Sequence, residues 1–294
     1  MTLLLGIDTG GTYTDAVILK DEMKVIASAK CLTTKQDLAL GIARAIKSVL
    51  NSSGVAPSDI SMASLSTTLA TNALVEGQGD QVGLIYIGFR KGDVEKHGLL
   101  EALKGDEFIE LRGGHSHEGL QVCPLEENCL KAWIADMKGV SAFAVASQFA
   151  TRNPAHERQA ADIIKSISGK PVSTSHQLSA KLNGPKGALT ALLNARLIGM
   201  IDRLIRRASD QLISLGIRAP MMVVRGDGAL ISQEQARDKP IETILSGPAA
   251  SIVGASWLTH ANNAIVSDIG GTTTDVALLK GGRPAIDPMG AQVG

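Results

Sequence analysis

The chain has 294 residues, of which 44% are hydrophobic and 3% aromatic, with a mean hydropathy of +0.13. That suffices for a sizeable core in about two domains and excludes intrinsic disorder. Its 29 basic and 29 acidic residues cancel, so there is no electrostatic footprint for nucleic acid or an acidic membrane, and few aromatic platforms for single strands.

The first element is a hairpin. Leu3 to Ile7 and Ala16 to Leu19 are apolar runs on either side of Asp8-Thr9-Gly10-Gly11-Thr12-Tyr13-Thr14-Asp15. An apolar run, a turn and a second apolar run read as paired strands rather than a strand entering a helix. Lys24 to Ala29 reads as a third strand. Thr34, with Asp37 three residues on, resembles a capping box before Leu38, Ile42, Ala45, Ile46 and Val49 at helical spacing, which Gly54 and Pro57 end. Ser64 to Ser66 reads as a short strand running into Thr67-Thr68-Leu69-Ala70-Thr71-Asn72, and Val82 to Ile87 as another.

Val140 to Ser147 is expected to be a buried strand, followed by a helix that Asn153 caps with Pro154 at its first position. The longest helical pattern runs from Pro185 to Gly216. Arg196 falls on its broad apolar face, and Arg203, Arg206 and Arg207 read as a solvated face. Met221 to Val224 is a strand opening into Arg225-Gly226-Asp227-Gly228, read either as a ligand-lining strand end or as a plain turn satisfied by Asp227. A further helix follows Ser246-Gly247-Pro248.

Then the first loop returns. Asp268-Ile269-Gly270-Gly271-Thr272-Thr273-Thr274-Asp275 repeats it at a constant offset, again between apolar runs, with Arg283 to Asp287 as a third strand. Strands alternating with helical patterns argue for α/β layers. A duplicated acidic, glycine-rich hairpin predicts two lobes gripping one polyphosphate. Adjacent glycines bring bare N–H groups to an anion, threonine hydroxyls add donors, and a strand-end carboxylate holds Mg²⁺ through water. The second start is short, so the chain is expected to be part of something longer.

No segment reaches the ~20 apolar residues of a membrane span. Cys31, Cys123 and Cys129 form no CxxC pair and leave one over, for which a reduced, cytoplasmic setting is the simplest reading. His115 and His117, with Cys123 and Cys129 downstream, match no zinc-site spacing and read as solvated histidines in a glycine-rich surface turn.

These motifs carry a resemblance. The two Asp-x-Gly-Gly-Thr hairpins resemble the phosphate loops of the actin, sugar-kinase and heat-shock-chaperone ATPase superfamily. Thr67 to Glu76 with Gly88-Phe89-Arg90 resembles the "TTxATNALLE … GFRD" segment of the hydantoinase/5-oxoprolinase family, with Lys91 where an aspartate is usual. Ser246 to Ala250 leading into the second hairpin resembles that family's "SGPAAGVVGA … DxGGTSTD" segment, with Ser251 and Ile252 where Gly-Val is usual.

The resemblance implies an α/β fold of duplicated ribonuclease-H-like (actin-like ATPase) lobes. Residues 1–178 would form the first lobe and 179–294 the start of a second, incomplete one. It implies ATP-dependent opening of a five-membered cyclic amide of hydantoin or 5-oxoproline type through phosphorylation of the amide carbonyl, often beside a second subunit. Relatives serve ATP-driven carboxylases of ketones. Asp8 and Asp268 would hold Mg²⁺. Gly10, Gly11, Thr12 and Thr14 would clasp one side of the ATP phosphates, and Gly270, Gly271, Thr272 and Thr273 the other.

Thr67, Thr68, Thr71 and Asn72 are candidates to hold the substrate or transferred phosphoryl, or else to cap a strand end and helix start. Ser246-Gly247-Pro248 either offers helix amides to an anion or is an ordinary helix start. Two alternatives keep the scaffold: a small-molecule kinase, for which Asp227 could be the base, and a non-metabolic actin-like ATPase switch.

Overall fold

The computed structural model describes residues 2–34, 36–95, 98–269 and 274–285. They fall into two compact units, one formed by 1–78 with 201–294 and the other by 79–200.

The first unit begins with β1 (Leu3–Thr9), β2 (Tyr13–Lys20) and β3 (Lys24–Leu32), an antiparallel meander. Leu3, Leu5, Ile7, Ala16 and Ile18 alternate inward, as the two-residue strand period requires. α1 (Leu38–Ser53) packs its Ile42, Ala45, Ile46 and Val49 stripe on this sheet. Its N-cap is Asp37, whose carboxylate accepts the Ala39 N–H at 3.2 Å, and not the expected Thr34. Gly54, at φ 67, ends it by donating to Leu50 O. β4 (Ile60–Thr67) runs parallel to β1, and α2 (Leu69–Val75) follows at once.

The second unit is a parallel sheet. Its strands are β5 (Val82–Ile87), β6 (Phe108–Leu111), β7 (Ala142–Ser147) and β8 (Val172–Thr174), with α3 (Leu99–Leu103), α4 (Glu127–Asp136), α5 (Ala155–Ser168) and α6 (Ser175–Leu178) between and after them. β5 and β7 are buried along their whole length, which is why they read as unbroken apolar runs. Val82, Leu84, Tyr86 and Ala144 face α3 and the start of α7 (Gly184–Ser214). Ile85, Ile87, Phe143 and Val145 face α4 and α5. Asn153 Oδ1 accepts the Ala155 N–H at 3.1 Å, so the expected cap is present, with α5 starting one residue after Pro154.

After α7 the chain rejoins the first unit. β9 (Met221–Val224) and β10 (Leu230–Ser232) complete the sheet β10-β9-β4-β1-β2-β3, in which β9 is parallel to β4. The order β3-β2-β1-β4-β9 is the ribonuclease-H-like arrangement. α8 (Gln233–Asp238) and α9 (Ser246–Thr259) lead to β11 (Asn263–Ile269), β12 (Thr274–Lys280) and β13 (Arg283–Pro284). The expected third strand is thus described only at its start; Ile286 and Asp287 lie outside the described residues. One face of β11–β12 packs toward α9, and Ile265, Ile269, Val276 and Leu278 on the other are exposed.

Arg196 departs from its apolar surroundings. It is 6% exposed and donates to Leu103 O at 2.6 Å and to Asp106 at 2.7 Å. Arg206 and Arg207 are exposed as expected, pairing with Asp202 and Asp37 at 2.8 Å. Breaking a buried pair strands its partner, whereas an exposed pair sits in water already. Arg196→Met is therefore expected to cost about 3–5 kcal/mol in urea unfolding, and Arg207→Ala less than about 1 kcal/mol.

Candidate functional site

Asp8 is the second-to-last residue of β1, opposite Asp15 in the hairpin register, and Thr9 faces Thr14. A chain of hydroxyls sets the loop: Thr9 Oγ1 lies 2.8 Å from Thr14 Oγ1, which lies 3.0 Å from Thr33 Oγ1, and Thr33 donates to Gly10 O at 2.9 Å. The Gly10 N–H closes the turn on Tyr13 O at 2.9 Å. Thr14, expected at the phosphates, is instead fully buried with its hydroxyl committed to Thr9 and Thr33, so it braces the loop from beneath.

The carboxylate of Asp8 accepts the Ser66 hydroxyl from β4. Burial pushes the Asp8 carboxyl above the ordinary carboxylate range; the Ser66 bond opposes this, the charges of Asp15 and Asp268 add to it, and Lys30 works against it. Lys30 itself pairs with Asp15 at 2.7 Å. Asp268 is therefore close enough for its charge to be felt at Asp8. It is exposed, accepts the Ser251 hydroxyl from α9 at 2.6 Å and faces Asp275 in register. Burial, then Asp268, raises the Asp275 carboxyl.

Two helix starts meet this strand end. Thr67 is buried, its hydroxyl capping the Leu69 N–H at 3.0 Å while its backbone bonds Ser246 in both directions. The Thr68 hydroxyl accepts from Asn72 Nδ2 at 3.3 Å, and the Thr71 hydroxyl accepts the Leu245 N–H at 2.9 Å. Capping thus occupies Thr67 and Thr71, while Thr68 and Asn72 lie at the loop: a Cβ on Gly11 would come 3.8 Å from Asn72 Nδ2. A Cβ on Gly247 would lie 3.1 Å from Thr68 and 4.0 Å from an Asp8 carboxylate oxygen, so the first turn of α9 stands over Asp8 and its missing side chain keeps that approach open. Leu245 takes the left-handed conformation, φ 61, to start the helix there. Gly270, Gly271, Thr272 and Thr273 lie outside the described residues.

Other candidates fall elsewhere. Asp227 is bonded by the Arg225 guanidinium and holds the Ala229 N–H at 3.0 Å; the Arg225 bond brings its carboxyl down to about 2. A carboxyl so held is a poor base, and Arg225 to Gly228 is a turn. His115, expected to be solvated, is 2% exposed with its ring 4.5 Å from that of His156, and burial lowers both. His117 is exposed. Sequence reasoning passed over Ser66, whose only signal was its place at the end of the strand beside β1.

A carboxylate-tipped hairpin on a β3-β2-β1-β4-β9 sheet, with a second hairpin following, defines the actin-like ATPase type of fold. The hydantoinase/oxoprolinase N-terminal region model matches residues 4–168 and the hydantoinase/oxoprolinase model residues 188–291. The chain belongs to the hydantoinase/oxoprolinase family.

It is 26% identical to the acetophenone carboxylase gamma subunit of Aromatoleum aromaticum (94% of this chain, 42% of the relative). It is 27% identical to the caprolactamase subunit alpha of Pseudomonas jessenii (95% and 44%). Among solved structures it resembles nucleotide-free acetone carboxylase, with a TM-score of 0.81 at 24% identity (96% and 44%). It also resembles the ATP-dependent caprolactamase of Pseudomonas jessenii, with a TM-score of 0.79 at 25% identity (94% and 44%). The chain therefore spans less than half the length of these relatives.

The raised Asp8 carboxyl has a consequence for the ligand-free protein. A carboxyl whose folded value lies above its unfolded one binds its proton more tightly when folded, so its contribution is most favourable below the unfolded value. That contribution is lost as pH rises through the folded value. Asp8→Asn, which keeps the shape without the charge, should melt higher than wild type at neutral pH, and the gap should close as pH falls below the ordinary carboxylate range. Thermal melts across pH measure this; a variant that melts lower at neutral pH would refute it.

Proposed function

We propose that the chain supplies the nucleotide-gripping part of an ATP-dependent enzyme that activates a carbonyl oxygen by phosphorylation. The particular reaction we assign is the opening of a five-membered cyclic amide of hydantoin or 5-oxoproline type. One observation carries the reading: the first turn of α9 stands over the buried Asp8 carboxylate while Ser251 of the same helix bonds Asp268, and the charge of Asp268 adds to the burial that raises Asp8. Each of the two carboxylates accepts a serine hydroxyl, from Ser66 and Ser251. Hard oxygens in that number suit Mg²⁺, which keeps most of its waters and takes one or two carboxylates beside phosphate. Bound there, Mg²⁺ would neutralise the charge of the transferring phosphoryl group.

The protein's own part is positioning. The Gly11 and Thr12 N–H groups would hold phosphate oxygens from the first hairpin, with Gly270, Gly271, Thr272 and Thr273 assigned the same task in the second. The amide end of α9 at Gly247 adds a positive helix terminus near Asp8. Thr68 and Asn72 would orient the group receiving the phosphoryl, within reach of the first loop. Thr67 and Thr71 would fix the two helix starts that carry them. The reading includes a partner subunit, since the acetophenone carboxylase and caprolactamase relatives are named as subunits.

A second substrate class is favoured by a specific observation: the similarity to the acetophenone carboxylase subunit and to acetone carboxylase, a protein of ATP-dependent acetone carboxylation. Ketone and amide activation share the phosphorylated oxygen and differ in what attacks next. Titration calorimetry of Mg²⁺-ATP with wild type, Asp8→Asn and Asp268→Asn tests the grip. Each variant is expected to bind at least about ten-fold more weakly, equivalent to about 1.4 kcal/mol, and chelation of Mg²⁺ to abolish binding. Unchanged affinity in both variants would overturn the assignment. ATP hydrolysis stimulated by hydantoins or 5-oxoproline, and not by ketones, then selects the cyclic amides.

A further inference from the structure

The unit formed by 79–200 has a cavity that the nucleotide reading does not use. Its sheet order is β6-β5-β7-β8, so the chain leaves β5 toward β6 on one side and passes to β7 and β8 on the other. The direction reverses between β5 and β7. In open parallel sheets, ligands bind beyond the carboxyl ends of the strands at such a point. A cavity of about 210 Å³ lies there, between Phe89 after β5, the Ser147 end of β7, Ser175 after β8, and the start of α7 at Gly184.

Ser147 is the informative residue. It is 3% exposed, it lines the cavity, and its hydroxyl has no hydrogen-bond partner among the described residues. Buried hydroxyls are nearly always bonded, and one left without a partner calls for an explanation. Its surroundings are firmly held. Glu157 of α5, fully buried, accepts the Ser147 N–H at 2.8 Å, the Ser175 hydroxyl, and the His176 N–H at 2.9 Å and its Nδ1. These bonds tie the ends of β7 and β8 to the start of α6. Just past Ser147, Phe149 sits at φ 56, a conformation that is strained for an aromatic residue. Strain of that kind persists where the chain must present a particular surface.

Opposite Ser147 lies the amino end of α7, which is 31 residues long. Pro185 has no N–H and Asn183 Oδ1 accepts that of Lys186 at 3.2 Å, so the helix offers its positive end and the Gly184 N–H. Lys181 and Asp93 put one charge of each sign on the lining.

We infer that this cavity binds the carboxylate of a small monocarboxylic acid, between the Ser147 hydroxyl and the first turn of α7. The volume is below that of ordinary drug-sized pockets, about 300–1,000 Å³, which suits a small ligand. Glu157 behind Ser147 disfavours the second charge of a phosphate. The inference does not depend on the nucleotide reading.

Acetate, propionate and lactate, and separately inorganic phosphate, are titrated into the protein while the amide chemical shifts of Ser147, Gly184 and Gly187 are followed. At least one carboxylate is expected to give saturable shifts. Ser147→Ala should weaken that binding about ten-fold, the loss of one hydrogen bond to a charged group. Its melting temperature should not fall, because the hydroxyl removed had no partner. Gly187→Leu, whose added side chain starts 3.5 Å from Ser175 Cβ, should abolish the shifts. Saturation by phosphate alone overturns the carboxylate assignment. Absence of saturation with any probe, or equal affinity in Ser147→Ala, overturns the site.

Discussion

The carboxylate of Asp8 is the constraint around which the first unit is arranged. It sits at the end of a central strand, partly withdrawn from water, with Asp15 and Asp268 adding negative charge nearby. The protein answers with one hydroxyl from Ser66 and a lysine whose direct bond goes to Asp15. That answer is incomplete, since the carboxyl remains above its ordinary range. A charge kept where the fold does not fully compensate it is characteristic of sites whose remaining compensation arrives with a ligand.

Holding that charge in place requires rigid surroundings, and they are built almost entirely from hydroxyls. Thr9, Thr14 and Thr33 link the hairpin to the end of β3 without any charged group, so the loop is fixed without competing for an anion or cation. Ser246 bonds the Thr67 backbone in both directions while Thr71 takes the Leu245 N–H, joining the starts of α2 and α9. The left-handed Leu245 is stable because these bonds over-determine it. Gly247 then faces Asp8 with no side chain in between. Each of these contacts is modest alone, about 1 kcal/mol in net terms, and their value here is geometric.

Much of this was legible in the chain itself, for identifiable reasons. The hairpins announced themselves by repetition, and α1 and α7 by sustained 3.6-residue periodicity over many turns. β7 read as buried because both its faces are covered. What stayed hidden depends on distant partners. Thr34 and Asp37 are both plausible caps locally, and only the fold selects Asp37. Arg196 reads as an interruption of an apolar face until Asp106 is brought to it. Thr14 looks like its neighbours in a threonine-rich loop, yet strand alternation turns it inward. Ser147, Glu157 and His115 belong to no local motif, because their environment is assembled from β7, β8 and α5 together.

The two hairpins also show that duplication conserves an outcome rather than an environment. Both place an aspartate opposite an aspartate in register, Asp8 with Asp15 and Asp268 with Asp275. Both leading aspartates accept a serine hydroxyl, but Ser66 comes from the parallel strand β4 and Ser251 from the helix α9. Ser251 stands at a position where the resembled family motif has glycine, so this bond is a feature of this chain and not of the motif. The shared requirement is a carboxylate at the tip of β1 and of β11 with one lone pair occupied by a neutral donor. A neutral donor orients the group without cancelling its charge, which a lysine at the same place would do. The charge is what the proposed Mg²⁺ would need, and the sequence departs from its family pattern in a way that preserves it.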